Sequence, residues 1–241
     1  VSTCCVAGRR TGSIPETLSE TPPEFVNAYE RSKWRAERLA AEAGAGLPTV
    51  TVRLSTVIGG RADGRLARPG AFHHALQWMA RGLVPMVPAA PGATVDLIDA
   101  ETAAELIADA ALADDPPPVV QVAAGARAAP VGELLDLIAE EFDRLTPGRR
   151  TLRPVETDAE TFALFRRSVL RTGDALLAEV LAAGEAFLPG LLHPKVFETS
   201  RAERLRGGPL PTAYWRGLVA RVIGYCVRTD WGRRTPEGDI P

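Results

Sequence analysis

Three segments decide how this chain reads: Val1-Ser2-Thr3-Cys4-Cys5-Val6-Ala7-Gly8, Tyr29-Glu30-Arg31-Ser32-Lys33 and Arg53-Leu54-Ser55-Thr56-Val57-Ile58-Gly59. The first is a run of small and β-branched residues closed by glycine, which predicts a buried strand over 1–7 and then a loop. Residues 9–23 carry Gly12, Pro15, Pro22 and Pro23 and read as a polar loop. A long helix is predicted from about Val26 to Ala43, ended by Gly44 and Gly46. Thr49 to Ile58 is a β-branched run closed by Gly59 and Gly60, which predicts a second strand. Strand, crossover-length helix and strand make a parallel unit.

The pattern continues downstream. Residues 61–70 read as a loop, 71–82 as a helix, and 83–91 as a Pro-rich apolar stretch. Val95–Ile98 is a short extended piece before a helix over 100–113, which Pro116–Pro118 stops. A buried strand over 119–123 and an amphipathic helix over 131–145 follow. Beyond Thr146 helices are predicted over 157–171, 174–188 and 213–228, and the tail 230–241 reads as frayed.

Composition narrows the class. The chain has 241 residues, 46% hydrophobic and 24% charged, with a net charge of −2. That excludes wholesale disorder. The near-neutral charge argues against a dedicated nucleic-acid binder, and no apolar run approaches the roughly 18 residues of a transmembrane helix. Three cysteines, two of them the adjacent Cys4 and Cys5, cannot make a disulfide framework, and no signal peptide is visible. Both point to a reducing, cytoplasmic setting. The chain opens at Val1, inside a strand, so a preceding N-terminal part is expected.

Tyr29 and Lys33 stand four residues apart on a helix and share a face. An ammonium held near a phenol favours the phenolate, and a phenol so tuned exchanges a proton with a carbonyl or hydroxyl near neutral pH. Alone, such a pair reads first as a solvated face. Ser2 and Thr3 put hydroxyls at the C-terminal end of the first strand, where α/β folds bind their ligands, and residues 53–59 end the second strand at the same edge. A hydroxyl, a Tyr/Lys pair and a strand-end loop therefore converge.

That order, Ser-Thr-x-x-Val-x-Gly, then Tyr-x-x-Ser-Lys, then Arg-x-Ser-x-Val-x-Gly, resembles the extended short-chain dehydrogenase/reductase family. The spelling around Ser2–Gly8 and Tyr29–Glu37 is most similar to its thioester-reductase and fatty-acyl-reductase (male-sterility-like) branch. The resemblance is specific over residues 1–60, looser through Val95–Asp96 and the strand 119–123, and faint beyond Thr146. It implies an α/β fold: the C-terminal half of a Rossmann-like doubly wound parallel sheet with a mostly helical substrate-binding cap. The implied division is 1–60 (catalytic half), 61–94 (cap insertion), 95–123 (return to the sheet) and 124–241 (substrate-binding region). It implies NADP or NAD as cofactor and hydride transfer to an acyl thioester or other carbonyl. Thr3, rather than its neighbour Ser2, would carry the catalytic hydroxyl. Tyr29 would be the acid/base, Lys33 would hold the nicotinamide ribose, and Leu54, Ser55 and Val57 would lie against the nicotinamide, largely through backbone groups. The family commonly has Pro where this chain has Leu54. Its Gly-rich phosphate loop has no counterpart here, so the cofactor half is expected in cis or on a partner chain. The alternatives are a sugar-nucleotide epimerase or dehydratase, or a non-catalytic truncated binding module. Cys4-Cys5 stand where a dehydratase usually carries acidic residues.

Other features read more plainly. His73-His74 lacks metal-ligand spacing and suggests the rim of a substrate pocket; no metal site is expected. Cys4 and Cys5 would alternate across the strand as small hydrophobes. His193 has no visible partner. Asp96 and Asp99 read as cap and packing residues. Arg149, Arg150, Arg153, Arg166, Arg167 and Arg171 form a solvated helix face or a docking surface for a phosphorylated carrier such as coenzyme A or an acyl-carrier protein. Leu176–Leu181 and Phe187–Leu192 are core or the lining of an acyl tunnel.

Overall fold

A computed structural model describes residues 1–233 except 45, 48, 149, 186, 212 and 213. Arg149, the expected start of the last helix at Ala213 and the tail beyond 233 lie outside the described residues.

The first predicted strand is short. β1 (Ser2–Thr3) gives way to a 3₁₀ turn over Cys4–Ala7, because the Thr3 hydroxyl accepts from the Cys5 N–H and caps it. Cys4 and Cys5 therefore do not alternate across a strand: Cys4 is buried and Cys5 exposed. The loop expected over 9–23 contains β2 (Gly12–Ile14). α1 (Ala28–Ala43) starts where the Asn27 side chain accepts from the Glu30 N–H at 3.0 Å, and it stops at Gly44. The single strand expected over 49–58 is broken at Ser55 into β3 (Thr51–Leu54) and β4 (Thr56–Gly59), which belong to different sheets.

Next come α2 (Ala71–Ala80), β5 (Met86–Pro88), β6 (Thr94–Val95), β7 (Leu97–Asp99) and α3 (Ala100–Leu112). They are followed by β8 (Val119–Val122), β9 (Ala129–Pro130), α4 (Val131–Leu145), β10 (Val155–Thr157), α5 (Ala159–Thr172) and α6 (Ala175–Gly184). β11 (Lys195–Phe197) and α7 (Ser200–Arg206), neither of them predicted, precede α8 (Trp215–Arg228).

β1, β3 and β8 form a three-stranded parallel sheet in the order β1-β3-β8. β4 and β7 pair in parallel beside it, and β11 with β2 and β10 with β5 make further parallel pairs. β6 and β9 pair antiparallel. The edge of β8 away from β3 is covered: the buried Glu16 accepts from the Gln121 N–H at 2.8 Å and from the N–H groups of Arg201 and Ala202 at the start of α7. A carboxylate thus closes a sheet edge and caps a helix with one side chain.

Two large apolar clusters hold most of the elements. Val52, Ile98, Leu106, Val120 and Val122 pack α3 on the sheet. Ile58, Leu97, Ile138, Phe142, Leu218 and Val222 join β4 and β7 to α4 and α8. The loop after β4 meets α8 backbone to backbone at Gly64, whose φ is +74° and where a Cβ would stand 2.3 Å from the Arg221 carbonyl carbon. Only glycine fits that approach. Among the described residues no helix is long and apolar enough to cross a membrane.

Candidate active site

The parallel register pairs Thr3 with Leu54, and Leu54 with Val122, so the C-terminal ends of β1, β3 and β8 lie at one edge. Open α/β sheets bind ligands outside that edge. Thr3 is buried there; its Oγ1 accepts from the Cys5 N–H at 3.2 Å, and among the described residues nothing accepts its hydroxyl proton. α1 packs against β1 and the 3₁₀ turn. It brings Tyr29, 53% exposed, and the partly buried Lys33 to the same end of the sheet.

The side of α1 facing the protein is held by charge rather than by apolar packing. Glu30 accepts from the Val26 N–H at 2.8 Å, and its carboxyl is raised above its ordinary pKa by burial. Glu37, one turn beyond Lys33, takes both forks of Arg53 on β3. The stripe Tyr29, Lys33, Glu37 thus runs from solvent into a buried ion pair, which fixes the rotation of the helix.

Of the segment expected against a nicotinamide, Leu54 turns its side chain into the α3 layer, Val57 is 37% exposed and Ser55 is partly buried. Ser55 is bound to Asp96. Its Oγ lies 2.5 Å from Asp96 Oδ1 and 3.1 Å from the Asp96 carbonyl oxygen. The same carboxylate accepts the N–H groups of Ala124 and Gly125, each at 2.8 Å. Burial raises the Asp96 pKa, and these hydrogen bonds oppose the rise. Asp96 is therefore a clamp between two strand-end turns and not a helix cap. Asp99 is the cap of α3, accepting from the Thr102 N–H at 2.8 Å.

Sequence reasoning missed a second contact. Lys195, on the unpredicted β11, donates from Nζ to the Gly8 carbonyl at 2.6 Å, pinning the turn that follows Thr3. Burial lowers its pKa, while Glu30 and Cys5 pull it back up. Cys4 donates to the Arg53 carbonyl at 3.6 Å, and burial pushes its thiol well up, so it packs and does not react. Residues remote along the chain meet here, and no local pattern announces that.

His73 is not on a pocket rim. It is buried, its Nδ1 accepts from the Gly70 N–H at 3.0 Å, and its Nε2 donates to the Ile58 carbonyl at 2.8 Å. His74 is exposed and stacks loosely on Trp78, with ring centroids 6.1 Å apart. The stretches 176–181 and 187–192 both contribute to the lining of a cavity of about 70 Å³ between α2, α4, α5 and α6. Leu177 and Leu181 line it, as do Phe187, Leu188 and Leu191, opposite Phe72 and Ile138. Within the arginine cluster, Arg153 pairs with Asp136 and Glu156, and Arg166 with Glu185. Arg150, Arg167 and Arg171 are exposed.

The described residues fit one end of a dinucleotide. Hydroxyl, phenol and ammonium groups suit a nicotinamide ribose and a polarised carbonyl. A phosphate cradle is not among them. The starts of α1, α3, α4, α5 and α6 carry acidic caps or first-turn carboxylates, at Glu30, Asp99, Glu133, Asp158 and Asp174, which occupy or repel what a pyrophosphate would need.

The parallel sheet and the helices packed on it define a Rossmann-like α/β protein. Residues 1–107 match the NAD-binding family described as Male sterility protein, the branch that the motifs of residues 1–60 indicate. No curated protein matches the chain. Among solved structures, the terminal R domain from the myxalamid PKS-NRPS biosynthetic pathway matches with a TM-score of 0.75 at 20% identity, over 98% of this chain and 58% of that one. MoeE5 in complex with UDP-glucuronic acid and NAD matches with a TM-score of 0.60 at 20% identity, over 97% and 63%. UDP-glucuronic acid 4-epimerase from Bacillus cereus in complex with NAD matches with a TM-score of 0.59 at 16% identity, over 95% and 60%. These likenesses establish the fold. The chain spans about three fifths of the length of the structures it matches.

Proposed function

We propose that the protein is an NAD(P)H-dependent reductase of the extended short-chain type that acts on an acyl thioester or a related carbonyl. The observation that carries this reading is the parallel register of Thr3 with Leu54, with α1 and its Tyr29/Lys33 pair packed against the strand and turn that hold Thr3. The division at 60, 94 and 123 belongs to the same proposal, with 61–94 and 124–241 on the substrate side.

Thr3, Tyr29 and Lys33 are the acting groups. The Thr3 hydroxyl, its lone pair engaged by the Cys5 N–H, donates to the substrate carbonyl oxygen and polarises the carbon. Tyr29 gives its phenolic proton to that oxygen as charge develops there. Lys33, one helical turn from Tyr29, holds the ribose hydroxyls. Ser55 and Val57 line the nicotinamide side, and Leu54 contributes its backbone. A bound reduced nicotinamide dinucleotide, NADPH or NADH, supplies the hydride. With a thioester, the protonated tetrahedral product expels the thiol and leaves an aldehyde. The phosphates must be held by chain outside these residues, in cis or on a partner.

The apolar side chains that line the cavity favour an acyl group over a sugar nucleotide, whose hydroxyls and phosphates such walls would leave unpaired. The fold shared with the Bacillus cereus epimerase keeps sugar-nucleotide chemistry as the second reading. Arg150, Arg167 and Arg171 are the side chains we assign to docking the phosphorylated carrier of the acyl group. The test is to incubate the intact protein with NADPH or NADH and a medium-chain acyl-coenzyme A. We expect free thiol and aldehyde to appear as reduced nicotinamide is consumed. Turnover of a UDP-sugar with none of the thioester would replace this reading by the second.

A further inference from the structure

The Ser55–Asp96 contact fixes the direction of one hydroxyl. Ser55 Oγ has two close neighbours, Asp96 Oδ1 at 2.5 Å and the Asp96 carbonyl oxygen at 3.1 Å, and both can only accept when the carboxylate is ionised. Asp96 accepts from three donors, the Ser55 hydroxyl and the N–H groups of Ala124 and Gly125, and each of these hydrogen bonds favours the ionised form. The single proton of Ser55 is therefore committed to Asp96 in either arrangement. No described residue donates to the Ser55 oxygen, so its lone pairs remain for something else. Ser55 sits one residue past Leu54, the register partner of Thr3, and its own N–H is tied to the Val122 carbonyl at 3.0 Å. Its position is thus set from both the main chain and the side chain.

We infer that Ser55 is a pure hydrogen-bond acceptor at the cofactor wall, polarised by Asp96, and that it takes the carboxamide amine of the nicotinamide. Asp96 is then a positioning residue: it never meets the ligand but decides which half of a hydrogen bond Ser55 can make. This rests on the reading of the strand-end site as a nicotinamide site and adds a specificity determinant to it. A hydroxyl free to rotate would satisfy an amine or a carbonyl alike. One whose proton is held discriminates between them, because a carbonyl set against it faces lone pair against lone pair.

The experiment compares dissociation constants of the intact protein for the reduced nicotinamide dinucleotide and for its 3-acetylpyridine analogue, in which a methyl replaces the amine. The wild type should bind the nicotinamide form about tenfold more tightly, the worth of one hydrogen bond to a pre-set partner. Ser55→Ala should narrow that ratio to about twofold, Ser55→Thr should keep it, and Asp96→Asn should narrow it, because the new amide brings an NH2 that can donate to Ser55 Oγ and occupy the lone pair. A ratio unchanged in Ser55→Ala overturns the inference while leaving the nicotinamide site standing. Failure of the folded wild type to bind either dinucleotide overturns both.

Discussion

Glu37 and Arg53 form a bidentate ion pair, 2.7 and 2.9 Å long, with side chains only 3% and 4% exposed. It joins the middle of α1 to β3 and sets how the first turns of that helix, with Tyr29 and Lys33, present themselves beside Thr3. Glu37→Gln should destabilise the fold by about 3–5 kcal/mol, since it strands a buried guanidinium without its counter-charge. The double change Glu37→Leu with Arg53→Met should recover most of that stability in a urea titration. Additive losses in the double variant would show that the two charges do not depend on each other.

The neutral ring of His73 gives the fold a pH dependence of definite sign. Burial lowers its pKa below the ordinary 6.5, and accepting from the Gly70 N–H requires an unprotonated Nδ1. The unfolded chain therefore binds more protons than the folded one in the window below 6.5. His73 contributes its full stability above that value and loses it as the pH falls towards the folded-state pKa. Thermal melts across this range should show the gap between wild type and His73→Gln closing as the solution is acidified. A gap that stays constant would mean that the ring does not hold the start of α2.

The cavity makes a prediction about chain length. Ala75 lines it from α2, and Ala75→Phe places a ring in the space. If the cavity receives the acyl tail, KM for a long-chain thioester should rise about tenfold, the cost of displacing a few buried methylenes. Activity on acetyl thioesters should hardly change. Equal losses on both substrates would place the tail elsewhere.

Much of this architecture was legible in the sequence. The amphipathic helix over 131–145 is α4 residue for residue, and the glycines after Ala43 mark the true end of α1. The Tyr/Lys spacing and the strand-end hydroxyl could be read because they are local. What could not be read depends on distant partners. The break at Ser55 comes from two sheets competing for one β-branched run, and Asp96 acts as a clamp only when 55, 96 and 124–125 are brought together. His73 reads as a rim residue in the sequence because nothing nearby shows the Ile58 carbonyl that accepts from its ring. β11 and α7 are too short for periodicity to reveal, yet they deliver Lys195 to Gly8 and close the edge of β8.

We propose Tyr29 as the proton donor of a reductase. The most direct measurement is single-turnover oxidation of NADPH by an acyl thioester in the intact protein, wild type against Tyr29→Phe, with dinucleotide binding followed in parallel. Tyr29→Phe should still bind the dinucleotide and lose turnover by about 10²–10⁴-fold. Undiminished turnover in Tyr29→Phe would contradict it.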